Sequence, residues 1–142
     1  MNKKLYFVHP VNVYNTRLEV NLIEKIKIAF PDWEIENPAE TKHNEGYKEW
    51  QEKTGRGMNY FFNIVLPECQ GGVFLPFRDG AWGIGVFGEA EFLSKKDLPI
   101  WQISSDGEIS EINLKNTNVL SIEKTRLRIR FASGETKPYF DC

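Results

Sequence analysis

The chain has few of the residues that would identify a metal site or a disulfide framework directly. Cysteine occurs only twice, at Cys69 and Cys142, in a chain of 142 residues, and two cysteines make neither a disulfide framework nor a metal-ligand set. The two histidines, His9 and His43, lie far apart without cysteine or carboxylate spacing around them. We therefore expect no metal and no cofactor, and a reducing, cytoplasmic location.

Long apolar runs and an excess of positive charge are also missing. No run approaches the ~20 residues that a membrane span needs, and the short apolar run near the N-terminus is too short for a signal peptide. Eighteen lysines and arginines face 20 aspartates and glutamates, for a formal net charge of -2. The lack of long apolar runs argues against a membrane protein, and the charge balance argues against general nucleic-acid binding.

What the chain does contain is sufficient for one folded domain over residues 1–142. Hydrophobic residues make up 41% and aromatic residues 13%, which is typical of a compact domain with a real core. Short apolar runs predict strands at 4–8, 33–36, 71–77 and 98–104, and alternation predicts an antiparallel strand at 108–112. Helices are predicted at 16–30, within the polar segment 39–57, and at 58–66, 86–96 and 122–131.

This order of elements predicts an α/β fold. We expect a three-layer sandwich with a mainly parallel central sheet, flavodoxin-like or Rossmann-like, with one antiparallel edge strand and a C-terminal helix. Ligands of such folds bind beyond the carboxyl ends of the strands. Four segments follow predicted strands and are therefore candidates for the binding site: His9–Asn12, Asn37–Pro38, Phe77–Gly80 and Ser104–Ser105.

The glycine-rich loop 78–85 has two interpretations. Gly80, Gly83 and Gly85 would let the backbone approach an anion at the start of the next helix, or they would only form the turn. Arg78 and Asp79 would pair with each other, bind ligand or be solvated. Asp79 would equally well accept a hydrogen bond within the next turn.

Glu89 lies at the edge of the apolar stripe of the helix predicted at 86–96. A partly sheltered carboxylate there suits nucleophilic or acid–base chemistry, or it only complements the helix dipole, worth ~0.3–1 kcal/mol. His9 is either a core histidine or a ligand contact. Helix residues His43, Tyr47 and Trp50 would cover a site as a flap, or lie on an exposed helix.

Three stretches resemble the nucleoside 2-deoxyribosyltransferase-like family, over roughly residues 4–104. "LYFVHP" (5–10) is similar to the family's first strand and "CQGGVFLPF" (69–77) to its third. "DGAWGIGVFGEAEFLSKKDLPIW" (79–101) is similar to its aspartate, glycine-rich turn, glutamate-bearing helix and following strand. Counted back from Leu98, Glu89 stands where the family has its catalytic glutamate, whereas counting from the glycines places Phe87 there.

The resemblance implies cleavage or exchange of the N-glycosidic bond of a nucleoside or nucleotide. Glu89 would be the nucleophile, oriented by Tyr6, with Asp79 as a third catalytic residue. Asn59 and Asn63 are the nearest polar candidates for the family's aspartate on the helix before strand three. A homo-oligomer is also implied. The ligand-binding residues would be His9, Pro10, Asn37, Asn63, Arg78, Gly80, Gly83 and Gly85.

Two other functions are compatible with the same residues. A non-catalytic module that binds a nucleotide or a derivative of NAD would use the same fold and the same glycine-lined helix start. A protein-interaction domain would instead present exposed aromatic side chains, for which Trp50, Tyr139 and Phe140 are the candidates.

Overall fold

A five-stranded sheet forms the centre of the protein in a computed structural model that describes residues 3–57 and 59–139. The spatial order is β2-β1-β3-β4-β5. The first four strands are parallel, and β5 runs antiparallel to β4. The α/β fold with a mainly parallel sheet and an antiparallel edge strand is thereby confirmed. The strands are β1 Lys3–Val8, β2 Trp33–Glu36, β3 Gly71–Phe74, β4 Ile100–Ile103 and β5 Ile109–Glu111.

The helices cover both faces of this sheet. Side chains of β1 alternate between the faces: Leu5 and Phe7 belong to the hydrophobic cluster that includes residues of α1, and Tyr6 and Val8 to the cluster that includes residues of α3. Burial of each large apolar side chain contributes ~1.5–3 kcal/mol, so the two clusters hold the three layers together. The helices are α1 Arg17–Ala29, α2 Thr41–Thr54, α3 Ile84–Lys95 and α4 Ile122–Ile129.

Helix α1 begins close to where its sequence predicts, but the side chain of Glu19 makes a contact outside the helix. The Glu19 N–H donates to Thr16 Oγ1 at 3.3 Å, which is one half of a capping box. The Glu19 carboxylate contacts the Nε2 atom of His9 at 2.7 Å. The start of α1 is thereby attached to the end of β1.

Helix α2 is longer and less exposed than its polar sequence predicts. It ends at Gly55 in the left-handed conformation, with a φ of 72°, which glycine adopts readily. His43 is buried in it. The absence of a side chain at Gly46 permits this packing, because a Cβ there would lie 2.5 Å from the Tyr60 hydroxyl.

The segment predicted as a helix at 58–66 is helical but irregular. Phe61–Val65 form a π-helix and Leu66–Glu68 a 3-10 turn, while Met58 lies outside the described residues. Two further 3-10 turns, Val11–Val13 and Leu114–Asn116, were not predicted. A π-helical turn often marks a functional site, and Phe61 begins this one.

The chain after β3 and the C-terminal segment also differ from expectation. Strand β3 ends at Phe74, and α3 begins at Ile84 behind Gly83. Tyr139, which we expected to be exposed, is buried and donates its hydroxyl hydrogen to the Pro76 carbonyl at 2.7 Å. Phe140 and Cys142 lie outside the described residues. Within the described chain, no helix has the length and apolarity to cross a membrane.

Candidate active-site crevice

The order of the strands reverses direction between β1 and β3, because β1 leads to β2 on one side and β3 to β4 on the other. Ligands of open α/β sheets bind at such a point. A crevice lies there, made of two cavities of about 350 and about 430 Å³. We call them the apolar arm and the aromatic arm. Both are lined by Val11, Tyr14, Pro38, Glu89 and Arg130.

The apolar arm lies between the loop after β1, the start of α3 and helix α4. Backbone of Gly83 and Gly85 lines it, and a Cβ on Gly85 would meet open space. Two of its polar residues, Thr125 and Arg126, come from α4, a helix outside the family resemblance. The remaining lining residues are Val8, His9, Pro10, Phe77, Ile84, Val86, Ile122 and Ile129.

The aromatic arm lies between β1, the loop after it, α2 and the π-helix. The residues that line this arm alone are Tyr6, Asn15, Ala39, His43, Asn44, Tyr47 and Phe61. Tyr47 and Phe61 have their ring centroids 6.3 Å apart. This arm therefore offers aromatic surface with a few hydrogen-bonding groups, which suits a flat heterocycle.

Glu89 is at the junction of the two arms. Its side chain is buried, with 7% of the residue exposed, and its Oε2 atom has no hydrogen-bond partner among the described residues. Burial raises the pKa of Glu89 from 4.5 to about 7, although a hydrogen bond from Tyr6 acts to lower it. Such a carboxylate changes protonation near neutral pH, which acid–base or nucleophilic chemistry uses.

Phe87, the residue that the alternative count would put in the glutamate's place, packs edge-on against Trp82 with centroids 6.5 Å apart. Glu89 therefore provides the carboxylate at this part of the crevice, and it is more deeply buried than its position at the edge of the stripe predicts.

Two tyrosines adjoin this carboxylate. Burial, and then the nearby charge of Glu89, raise the pKa of Tyr6 well above its usual range. The same two causes, with Glu19, raise the pKa of Tyr14 well above its usual range. Both phenols are therefore neutral hydrogen-bond donors at physiological pH. The family resemblance predicted a role for Tyr6, whereas no sequence pattern pointed to Tyr14.

His9 supports the loop that carries Pro10 into the apolar arm. Its Nδ1 atom lies 3.0 Å from the Phe7 carbonyl oxygen and its Nε2 atom 2.7 Å from Glu19 Oε2. Burial raises the pKa of Glu19, but hydrogen bonds and charge from His9 and Asn37 outweigh it, and the net shift is downward. Asn37, a predicted ligand contact, thus helps to hold Glu19.

His43 is held on the other side of the crevice. Its Nε2 atom is hydrogen-bonded to Glu36 Oε1 and its Nδ1 atom lies 3.0 Å from the Tyr60 hydroxyl. Burial raises the pKa of Glu36, and Lys42 and His43 lower it further than burial raises it. Of the proposed flap, His43 and Tyr47 line the aromatic arm, whereas Trp50 packs against the core.

Asp79, expected as a catalytic residue, forms a turn and an ion pair. Its oxygens accept hydrogen bonds from Arg128 at 3.1 and 2.7 Å and from the Ala81 N–H at 3.1 Å. The hydrogen bonds from Arg128 and Ala81 lower the pKa of Asp79. This placement matches the turn interpretation, and the catalytic role stays a prediction from the resemblance.

Three further predicted ligand contacts lie elsewhere. Arg78 and Gly80 line a different cavity, shared with Ser104 and Ser105, and the φ of Gly80 is 88°. Asn63 is exposed on the π-helix. These residues lie outside the crevice because proximity in sequence to a strand end does not decide which way a loop turns, and their role as ligand contacts stays a prediction.

The described residues contain no cluster of three or more histidine, cysteine, aspartate or glutamate side chains that would hold a metal ion. Comparison of the chain with protein-family models, with curated proteins and with solved structures found no match. The family resemblance therefore stays an expectation from the three motifs, and the geometry of the crevice is the basis for any functional proposal.

Proposed function

We propose that the protein cleaves or exchanges the N-glycosidic bond of a nucleoside or nucleotide, with Glu89 as the nucleophile. The observation that supports this proposal is the position of Glu89: a buried carboxylate, held by Tyr6, with a free oxygen where the two arms meet. A sugar in one arm and a base in the other would bring the bond between them to this carboxylate.

The reaction follows from the chemistry of a carboxylate next to an oxocarbenium-like centre. A Glu89 oxygen forms a bond to C1′ of the sugar while the bond from C1′ to the base nitrogen breaks, and the electron pair leaves with the base. Water or a second base then attacks C1′ and releases the carboxylate. Tyr6 stays protonated and orients Glu89 throughout.

The apolar arm suits the sugar side of such a substrate. The backbone of Gly83 and Gly85 borders it at the start of α3, where N–H groups and the helix dipole favour an anionic substituent. Arg126, which also lines this arm, has no side-chain partner among the residues described here. A 5′-phosphate on the sugar is compatible with these groups.

The test is release of free base from a panel of nucleosides and 5′-nucleotides by the wild-type protein and by Glu89→Gln. We expect the substitution to abolish release, since the amide is a poor nucleophile of almost the same shape. Glu91→Gln, on the same helix, is the matched control and should retain activity. Unchanged release by Glu89→Gln would contradict the proposal.

A second function is a module that binds a nucleotide without turning it over. It is favoured by the exposed position of Asn63, which leaves the base without the carboxylate that the family resemblance implies. Thermal-shift measurements with the same panel separate the two functions: stabilisation by a ligand without any product supports binding alone. An interaction domain has less support because Tyr139 is buried.

A further inference from the structure

The aromatic arm combines ring surfaces with one buried carboxylate; Arg130 also lines the arm, but it is exposed and water and salt screen its charge. Tyr14, Tyr47 and Phe61 line it together with Glu89, whose Oε2 atom is buried and without a partner in the described chain. Aromatic faces attract a cation by their quadrupole, and a buried carboxylate attracts it by charge. Such surroundings favour a flat ring that carries positive charge over a neutral one.

The arm is poorly equipped to protonate a leaving group. A neutral purine or pyrimidine departs readily only when an acid delivers a proton to it, an effect worth roughly 10²–10⁴-fold in rate. Both ring nitrogens of His43 are already occupied, by Glu36 and Tyr60. The hydroxyl-bearing carbon of Tyr47 packs against Gly57, where a Cβ would lie only 2.6 Å from it.

The two other phenols of the arm do not supply a proton either. Tyr6 donates its hydrogen bond to Glu89, and burial and the charge of Glu89 raise the pKa of Tyr14 well above its usual range. The guanidinium of Arg130 is engaged by the Gly134 carbonyl and the Thr136 hydroxyl, at 3.3 and 2.9 Å. A substrate that needs no proton at its leaving group fits this arm best.

We propose, building on the proposed function, that the leaving group is a cationic heteroaromatic base of the nicotinamide type, joined to ribose as a pyridinium. Asn44 would recognise its carboxamide, because its own amide lies in the aromatic arm without a side-chain partner among the described residues. Two primary amides pair through one donor and one acceptor each.

The step balances without an external acid. The Glu89 carboxylate forms the bond to C1′, the bond from C1′ to the pyridinium nitrogen breaks, and its electron pair neutralises the ring, which leaves as neutral nicotinamide. Water then adds to C1′, the carboxylate is restored, and the proton of that water passes to solvent. No redox change occurs in either step.

The experiment compares base release from nicotinamide mononucleotide and NAD⁺ with release from inosine, adenosine and their 5′-monophosphates, followed by chromatography. We expect kcat/KM for the pyridinium substrates to exceed that for the neutral ones by ~100-fold or more, with all release lost in Glu89→Gln. Asn44→Ala should lower kcat/KM for nicotinamide mononucleotide ~10-fold and leave that for the pyridine analogue without a carboxamide unchanged. Glu45→Ala is the control on α2.

The outcomes distinguish the two proposals. Neutral nucleosides cleaved as fast as the pyridinium substrates, or faster, would overturn the inference and keep the proposed function. Failure to release base from every substrate would overturn both. An equal effect of Asn44→Ala on the substrates with and without the carboxamide would overturn the recognition by Asn44.

Discussion

Tyr6, on the interior strand β1, lies beside the carboxylate of Glu89, in the second turn of α3, and hydrogen bonding by its hydroxyl lowers the pKa of that carboxylate. The strand lies between β2 and β3 and the helix covers one face of the sheet, so the two side chains meet at the crevice. One Glu89 oxygen remains without a partner. Tyr6 thus orients the carboxylate and leaves one of its oxygens without a partner among the described residues.

Removal of the Tyr6 hydroxyl should move the pH dependence of activity. Its hydrogen bond lowers the pKa of Glu89, so Tyr6→Phe should raise that pKa further above about 7. Activity requires the ionised carboxylate and therefore rises with pH through the pKa. We expect the acidic limb of the kcat/KM profile to shift to higher pH in Tyr6→Phe, with a loss of ~0.5–1.5 kcal/mol in stability. An unshifted limb would show that the bond does not tune Glu89.

Glu89 should make the protein less stable as pH rises. Its pKa is raised in the folded state from 4.5 to about 7, so the folded protein holds this proton more tightly than the unfolded chain does. Its stabilising effect is complete below pH 4.5 and is lost as pH rises to about 7, a change of about 3 kcal/mol. Glu89→Gln, which stays neutral, should therefore have a higher Tm than wild type at pH 8, with the difference shrinking towards pH 5.

Calorimetry at several pH values measures this difference, with Glu91→Gln as the control on the same helix. A Tm difference between wild type and Glu89→Gln that is equal at pH 5 and pH 8 would show that the pKa of Glu89 is not raised.

Asp79 should prove unnecessary for catalysis. It is half-exposed and paired with Arg128, and exposed ion pairs stabilise a protein by ~0–1 kcal/mol. Asp79→Asn should therefore change kcat/KM by less than ~3-fold and the free energy of unfolding by no more than the ion pair contributes. Chemical denaturation and base release measure the two quantities. A 100-fold loss of activity at unchanged stability would restore the catalytic role.

Gly46→Ala should destabilise the protein. The added Cβ would lie 2.5 Å from the Tyr60 hydroxyl, the group that contacts His43, and relief of such overlap costs ~1–3 kcal/mol. Gly88→Ala in α3 is the matched control: its Cβ would meet Phe62 at 3.9 Å, an ordinary contact, and alanine favours the helix by ~0.5–1 kcal/mol. Denaturation curves of the two variants should shift in opposite directions, and equal shifts would contradict the packing assigned to Gly46.

The course of the backbone could largely be predicted from the sequence. The apolar runs gave strands at 4–8 and 33–36, and Thr16 with Pro31 gave the limits of α1, because these signals act over a few neighbouring residues. The burial of α2 could not be predicted, since its polar sequence only packs once Gly46 meets Tyr60. The same holds for the π-helix at Phe61–Val65.

The candidate site, too, could be predicted only in part from the sequence. The sequence alone determined that a carboxylate would stand at position 89, near the edge of an apolar stripe, on a helix that follows a glycine-rich loop. Only the tertiary structure decided that Tyr6 holds this carboxylate, that Asp79 turns to Arg128, and that Asn44 joins the crevice. Helical and strand periodicity are local properties, whereas the partner of a side chain depends on how the crossovers bring distant segments to one edge of the sheet.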